Sequence, residues 1–181
     1  RMVTPPKGDF TSIPLSDAGR AAAGKWEPSM DLTCQAFGAG GLMRMPTRLN
    51  ISWQGDDVLK VDSDAGQQTR LLRFGPAPAQ PGPRSLQGLS LAQWEGLGGA
   101  PARGPARIGN GAGGTLHVNT TNLLEGWLRR NGVAYSDATS INEYWDRVAF
   151  PNGDVWLIVT QYVTDPKYLV QEYATSMHFK R

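Results

Sequence analysis

The order of apolar and polar residues changes period along this chain. From Thr47 to Trp53 the two kinds alternate, Gly55-Asp56-Asp57 supplies a turn, and the alternation resumes from Val58 to Asp62. Ala65-Gly66 marks a second turn before Thr69-Arg70-Leu71-Leu72-Arg73-Phe74. Period two sends successive side chains to opposite faces of a strand, so three such runs separated by turns predict a meander. Ser90–Glu95 and Thr115–Thr121 read as further strands. The strongest local signal is a hairpin: Ile141–Phe150, then Pro151-Asn152-Gly153-Asp154, then Val155–Val163. Asn-Gly favours a two-residue type I′ turn. A last strand is expected over about Leu169–Phe179.

These segments predict a mainly β fold of eight to nine strands, antiparallel because most links are short. With no long helix in sight, the sheet is expected to close, or nearly close, into a small barrel, which removes its sticky edges. Upstream, Ser16 fits a helix N-cap, Asp17 suits the first turn, and Ala21 to Ala23 favour a short N-terminal helix that Gly24 ends. A helix this short needs Leu15 and Trp26 to pin it to the body. Residues 1–14, with three prolines, read as an extended arm, and residues 15–181 as a single barrel domain. The stretch 122–140 is read as turning, punctuated by Asn131-Gly132 and Ser136-Asp137, with Trp127-Leu128 as its apolar anchor. Residues 96–114 are a glycine-rich loop, read as an excursion rather than a lid; its arginines are scattered and lack a phosphate-loop context.

The expected type I′ turn makes facing residues in the hairpin sum to 305. Arg147 then opposes Ile158, Trp145 opposes Thr160 and Glu143 opposes Tyr162, all on one face. The other face carries Tyr144, Asp146, Val148, Leu157, Val159 and Gln161. The first set is expected to line the lumen, since a small eight-stranded barrel holds one small ligand. Glu143 and Arg147 lie two pleats apart, and they either pair with each other inside or contact a ligand. A register slip of one residue would move the set to the other side.

Composition narrows the function classes. A net charge of +2, from 18 basic and 16 acidic residues, gives no field to steer the chain onto nucleic acid. No apolar run is long enough for membrane insertion. One cysteine, Cys34, excludes an internal disulfide framework and a multi-cysteine metal site, and it reads as a filler rather than a nucleophile. Two histidines without HxH or HExxH spacing predict no metal, and no cofactor motif is present. His117, mid-strand, is either a general base looking into the lumen or a packed surface histidine. Glu143, His117, Tyr162 and Asp146 are thus the candidate acid–base residues; Trp145, Arg147, Trp94, Thr160, His178 and Arg129 are the candidate ligand contacts. The function expected is cofactor-free chemistry on a small hydrophobic organic molecule, of lyase, isomerase, cyclase or epoxide-opening type. The alternative is a non-catalytic carrier of an apolar ligand, and a homodimer is left open. The chain begins at Arg1 with no signal-type segment, which fits either a removed export signal or a cytoplasmic protein.

The runs PLSDAGRAAAGKW, SLQGLSLAQWEG, TLHVNTTNLLEGWLRRNGVAYSDATSINEYWDR and DPKYLVQEYATSMHFKR resemble an uncharacterised family of exported bacterial hypothetical proteins. The similarity covers the chain from about residue 8. Its most specific part is GWLRRNG, matched here by Arg129, Arg130 and Asn131, followed by a strand with Glu143 and Arg147 in place. That family usually has an apolar residue where His117 stands and a shorter link than Gly96–Gly114. The resemblance implies a lipocalin-like (calycin) barrel and a periplasmic or secreted location, with no established activity.

Overall fold

The structure is a computed structural model that describes residues 5–29, 37–96 and 114–181. Cys34 and most of the glycine-rich 96–114 loop lie outside the described residues. The strands are β1 (Leu49–Gln54), β2 (Val58–Ser63), β3 (Gln68–Phe74), β4 (Leu89–Glu95), β5 (Thr115–Thr121), β6 (Gly126–Arg129), β7 (Val133–Tyr135), β8 (Ser140–Ala149), β9 (Val155–Thr164) and β10 (Tyr173–Lys180). Eight of them form one curled sheet in the order β1-β2-β3-β4-β5-β8-β9-β10, and β6 and β7 form a separate hairpin.

The sheet is a half-barrel, not the closed barrel expected: β1 and β10 remain its two edges. It is also mixed. β3 and β4 run parallel, with Leu72 opposite Ser90. The reason is the connection over residues 75–88, which is long enough to carry the chain back to the starting end of β3, as a parallel crossover requires and a hairpin does not.

Helix α1 (Asp17–Gly24) starts as the sequence predicts. The Ser16 hydroxyl accepts from the Gly19 amide at 3.1 Å and Asp17 occupies the first turn. Leu15 and Trp26, the expected pins, are both buried. A second helix, α2 (Ala39–Leu42), is a single buried turn that the alternation gives no sign of. The 122–140 stretch holds the β6–β7 hairpin, turned at Asn131-Gly132. Gly132 is at φ +95°, and a side chain there would strike the Trp26 Cβ. Both facts demand glycine.

The concave face of the sheet carries two apolar clusters. One joins Leu123, Leu128, Val133, Tyr135, Ile141, Val163 and Tyr173 with Ala39 of α2. The other joins Leu72, Leu116, Val118, Trp145, Val159 and Met177 with Met43, just after α2. Among the described residues, Ala39 of α2 and Met43 beside it pack into these two clusters on the face where the hollow was expected.

Candidate functional site

The hairpin register differs from the expected one by a single residue. Glu143 faces Gln161, Trp145 faces Val159 and Arg147 faces Leu157. Pro151 explains the shift. Its fixed φ suits the second position of a type I turn over Phe150–Gly153, closed by the Gly153 amide on the Phe150 carbonyl at 3.0 Å. Gly153 then takes the left-handed position at φ +86°, while Asn152 keeps a negative φ, so a type I′ turn does not form. The extra loop residue slides β9 by one and divides the predicted set. Glu143 and Trp145 are buried on the concave side, Arg147 is exposed, and Tyr162 and Thr160 move to the convex side with Asp146.

Glu143 is not a free acid. Its two oxygens accept from Arg70 Nη1 at 3.1 Å and Nη2 at 2.5 Å, with Glu143 at 0% and Arg70 at 1% exposure. Gln161 Nε2 also donates to it at 3.2 Å. Arg70 Nη2 reaches the Thr120 hydroxyl at 2.7 Å, and the Ser90 and Thr120 hydroxyls lie 2.8 Å apart. Five adjacent strands, β3, β4, β5, β8 and β9, thus contribute Arg70, Ser90, Thr120, Glu143 and Gln161 to one polar belt between the apolar clusters. The interior ion pair foreseen as one alternative exists, with Arg70 as partner rather than Arg147. Three donors hold this carboxylate, and at 0% exposure it is closed to a substrate arriving from solvent.

His117 lies on the convex face, not in a lumen. Its Nδ1 is 3.2 Å from Glu95 Oε1 and its Nε2 is 3.2 Å from Asn142 Oδ1. The ring stacks on Tyr144 at 4.7 Å and 7°, and Tyr162 meets Tyr144 edge-on. Asp146 accepts from Thr115 at 2.6 Å. A neutral ring donates to only one of these oxygens, and Gln93 Nε2 lies 3.4 Å from Nδ1, so the ring sits packed among polar groups on the face opposite Glu143. His178 is exposed on β10 opposite Ile158. Trp94 is half-buried and stacks on Phe74 at 6.1 Å. Arg129 joins the N-terminal arm to β10 through Ser12 and Tyr173. The structure does not bring the sequence-predicted residues together into one site. Among the described residues, no three His, Cys, Asp or Glu side chains converge to hold a metal, and no helix is long and apolar enough to cross a membrane.

Among the described residues, a cleft shaped for a ligand lies elsewhere. A cleft of about 560 Å³ opens between α1, the 84–88 segment, the β6–β7 hairpin and the turn after β9. Its lining includes Leu86, Leu124, Trp127, Ala134, Tyr135 and Tyr168. A β-bulge between Trp127 and Arg129 makes this surface: Leu128 turns into the core while Trp127 and its cross-strand partner Ala134 border the cleft. Leu124, 44% exposed, marks the rim. Tyr135 forms part of the wall. Its ring lies against Gly40 and Gly126, and any side chain on Gly38 would fall on its hydroxyl. That hydroxyl is buried without a hydrogen-bond partner; the Gly40 amide lies near but outside bonding geometry. Burial pushes the phenol up to about 12, with the Arg70 charge and the Gly40 amide acting the other way.

Asp165 holds the two sides of the cleft in place. Its carboxylate accepts from the Ser136 amide (2.6 Å) and hydroxyl (2.8 Å), the Thr139 hydroxyl (2.9 Å), and the Lys167 (2.8 Å) and Tyr168 (3.1 Å) amides. Ser136 follows Tyr135 directly, so one carboxylate fixes both tyrosines of the wall. Burial raises the Asp165 pKa, but the donors at Ser136, Lys167 and Tyr168 outweigh it and hold the group below the usual carboxylate range. In the sequence, Asp165-Pro166 reads only as a turn, and the cleft residues come from four separated segments. Only Trp127 carried a signal, as an apolar anchor.

No family model, no curated protein and no solved structure matches the chain.

Proposed function

We propose that this protein binds a small, mainly apolar organic molecule in the cleft between α1 and the β6–β7 hairpin, as a carrier or sensor rather than as an enzyme. The observation that carries this reading is the cleft itself, walled by Leu86, Leu124, Trp127, Ala134, Tyr135 and Tyr168. Small-molecule sites run roughly from 300 to 1,000 Å³ and combine apolar walls with a few polar groups, and the cleft falls inside that range. The catalytic reading loses support because Glu143 is buried and bound by Arg70, and His117 lies on the opposite face of the sheet. Carriage of apolar molecules is also the role that lipocalin-like character would bring, and export, as the resemblance implies, would place the ligand outside the cytoplasm.

The test is a fluorescence titration with 1-N-phenylnaphthylamine, a dye that brightens when its surroundings turn apolar. Wild-type protein is expected to bind it saturably, with quenching of Trp127. Ala134→Leu adds methyl groups inside the cleft and is expected to weaken binding at least tenfold while leaving the melting temperature within a few degrees. Equal dye binding by wild type and Ala134→Leu would place the ligand elsewhere and end this reading.

A further inference from the structure

Away from the cleft, two arginines share one neutral oxygen. Arg44 Nη1 donates to the Tyr173 hydroxyl at 3.0 Å and to the Thr175 hydroxyl at 2.6 Å. Arg129 Nη2 donates to the same Tyr173 oxygen at 3.1 Å and to the Ser12 hydroxyl at 3.2 Å, while Nη1 reaches the Thr11 carbonyl at 3.4 Å. Among the described residues, neither guanidinium forms an ion pair. The carboxylate of Asp9 lies within the field of Arg129, but it is held by Thr11 and makes no bond to the arginine.

Two positive charges on one phenol oxygen repel each other, and half-burial weakens the screening that would excuse them. Arg129 Nε is also buried with no partner. Ser12, which brings its hydroxyl to Arg129, sits in the left-handed region at φ +69°, a conformation that costs a non-glycine residue energy and that gathers at ligand-binding positions. An anion that bridges the two arginines relieves the repulsion between them, and the Ser12 hydroxyl, which now accepts from Arg129, is placed to donate to it.

We propose that Arg44, Arg129, Ser12, Tyr173 and Thr175 form a binding site for a phosphate group, either free phosphate or a phosphate monoester. The charge count selects this anion. Two guanidinium groups match the −1.5 to −2 charge that a phosphate monoester carries near neutral pH, whereas a carboxylate neutralises only one. The planar fork of arginine suits phosphate oxygens, and three hydroxyls around the fork suit a tetrahedral anion. Arg44 and Arg129 are half-buried and Ser12 is exposed, so the site stays open to solvent between the N-terminal arm and β10.

The experiment is isothermal calorimetry on the full chain with sodium phosphate, phenyl phosphate and sodium acetate, at constant ionic strength set with chloride. The expected result is one phosphate site per chain, with acetate at least tenfold weaker. Arg44→Gln and Arg129→Gln are each expected to weaken phosphate at least tenfold, and Arg147→Gln, on the exposed end of β8, to leave it unchanged. Should a glutamine variant fail to fold, Arg44→Lys and Arg129→Lys keep the charge and are expected to show the same loss, because an ammonium cannot fork two oxygens. Tighter binding of phenyl phosphate assigns the site to monoesters; equal or tighter binding of inorganic phosphate assigns it to the free anion. No phosphate heat in wild type beyond the chloride control, acetate binding as tight as phosphate, or an equal loss in Arg147→Gln would overturn the proposal.

Discussion

Replacing Glu143 by glutamine tests the polar belt at its centre. The change keeps the shape and removes the charge. In the wild-type protein the three guanidinium nitrogens of Arg70 make five contacts with Glu143, Thr120 and Ser90, with no solvent to share the load. A glutamine oxygen satisfies one of the two nitrogens that now bond Glu143, and its NH2 turns a donor toward the other. The guanidinium keeps its charge in a site at 1% exposure. Breaking one partner of a buried pair costs about 3–5 kcal/mol, against roughly 0–1 kcal/mol for a surface pair. For a domain of this size that is a fall in melting temperature on the order of 10 °C. Urea denaturation followed by tryptophan fluorescence reads the cost directly. The double variant Arg70→Met, Glu143→Leu removes both charges and is expected to regain most of it, since apolar replacement of a buried pair is often neutral. A loss below about 1 kcal/mol for Glu143→Gln, or a double variant as unstable as the sum of the singles, would refute the reasoning.

Two further outcomes follow from the cleft wall. Tyr135→Phe deletes a hydroxyl with no protein partner, so denaturation is expected to show a change from neutral to about 1 kcal/mol stabilising. The raised phenol pKa means that folding is favoured below the unfolded value near 10 and that this contribution is lost as pH rises toward about 12; Tyr135→Phe should remove that alkaline decline in a pH series of melts. Asp165 has the opposite sign. Its lowered pKa contributes stability that is full above the unfolded value of about 4 and is lost as pH falls below it. Asp165→Asn should therefore cost on the order of 3 kcal/mol at neutral pH and flatten the acid limb.

The strands were legible from their period-two pattern in Thr47 to Phe74, Thr115 to Thr121 and the last hairpin, even in β1, which buries neither face, and Ser16 with Asp17 announces α1. The register of the hairpin was not legible from Asn152-Gly153 alone, because Pro151 selects a different turn and one residue of slip exchanges the faces. Arg70 escaped notice because an arginine in an alternating run looks solvated; its burial depends on Glu143, which is distant in sequence and arrives through β8. The parallel β3–β4 pairing was hidden in a glycine- and proline-rich link that carries no periodic signal. The cleft was hidden for a related reason. Leu86, Trp127, Tyr135 and Tyr168 lie in separate connections, and only tertiary packing puts them on one surface.

The ligand's location is the claim on which the functional account stands, and methyl chemical-shift mapping of leucine and alanine residues during titration with 1-naphthol measures it most directly. The account predicts that the shifts concentrate on Ala22, Leu86, Leu124 and Ala134, with Leu72 and Leu116 of the concave face unmoved. Shifts centred on Leu72 and Leu116, or none at any concentration of 1-naphthol that remains soluble, would contradict it.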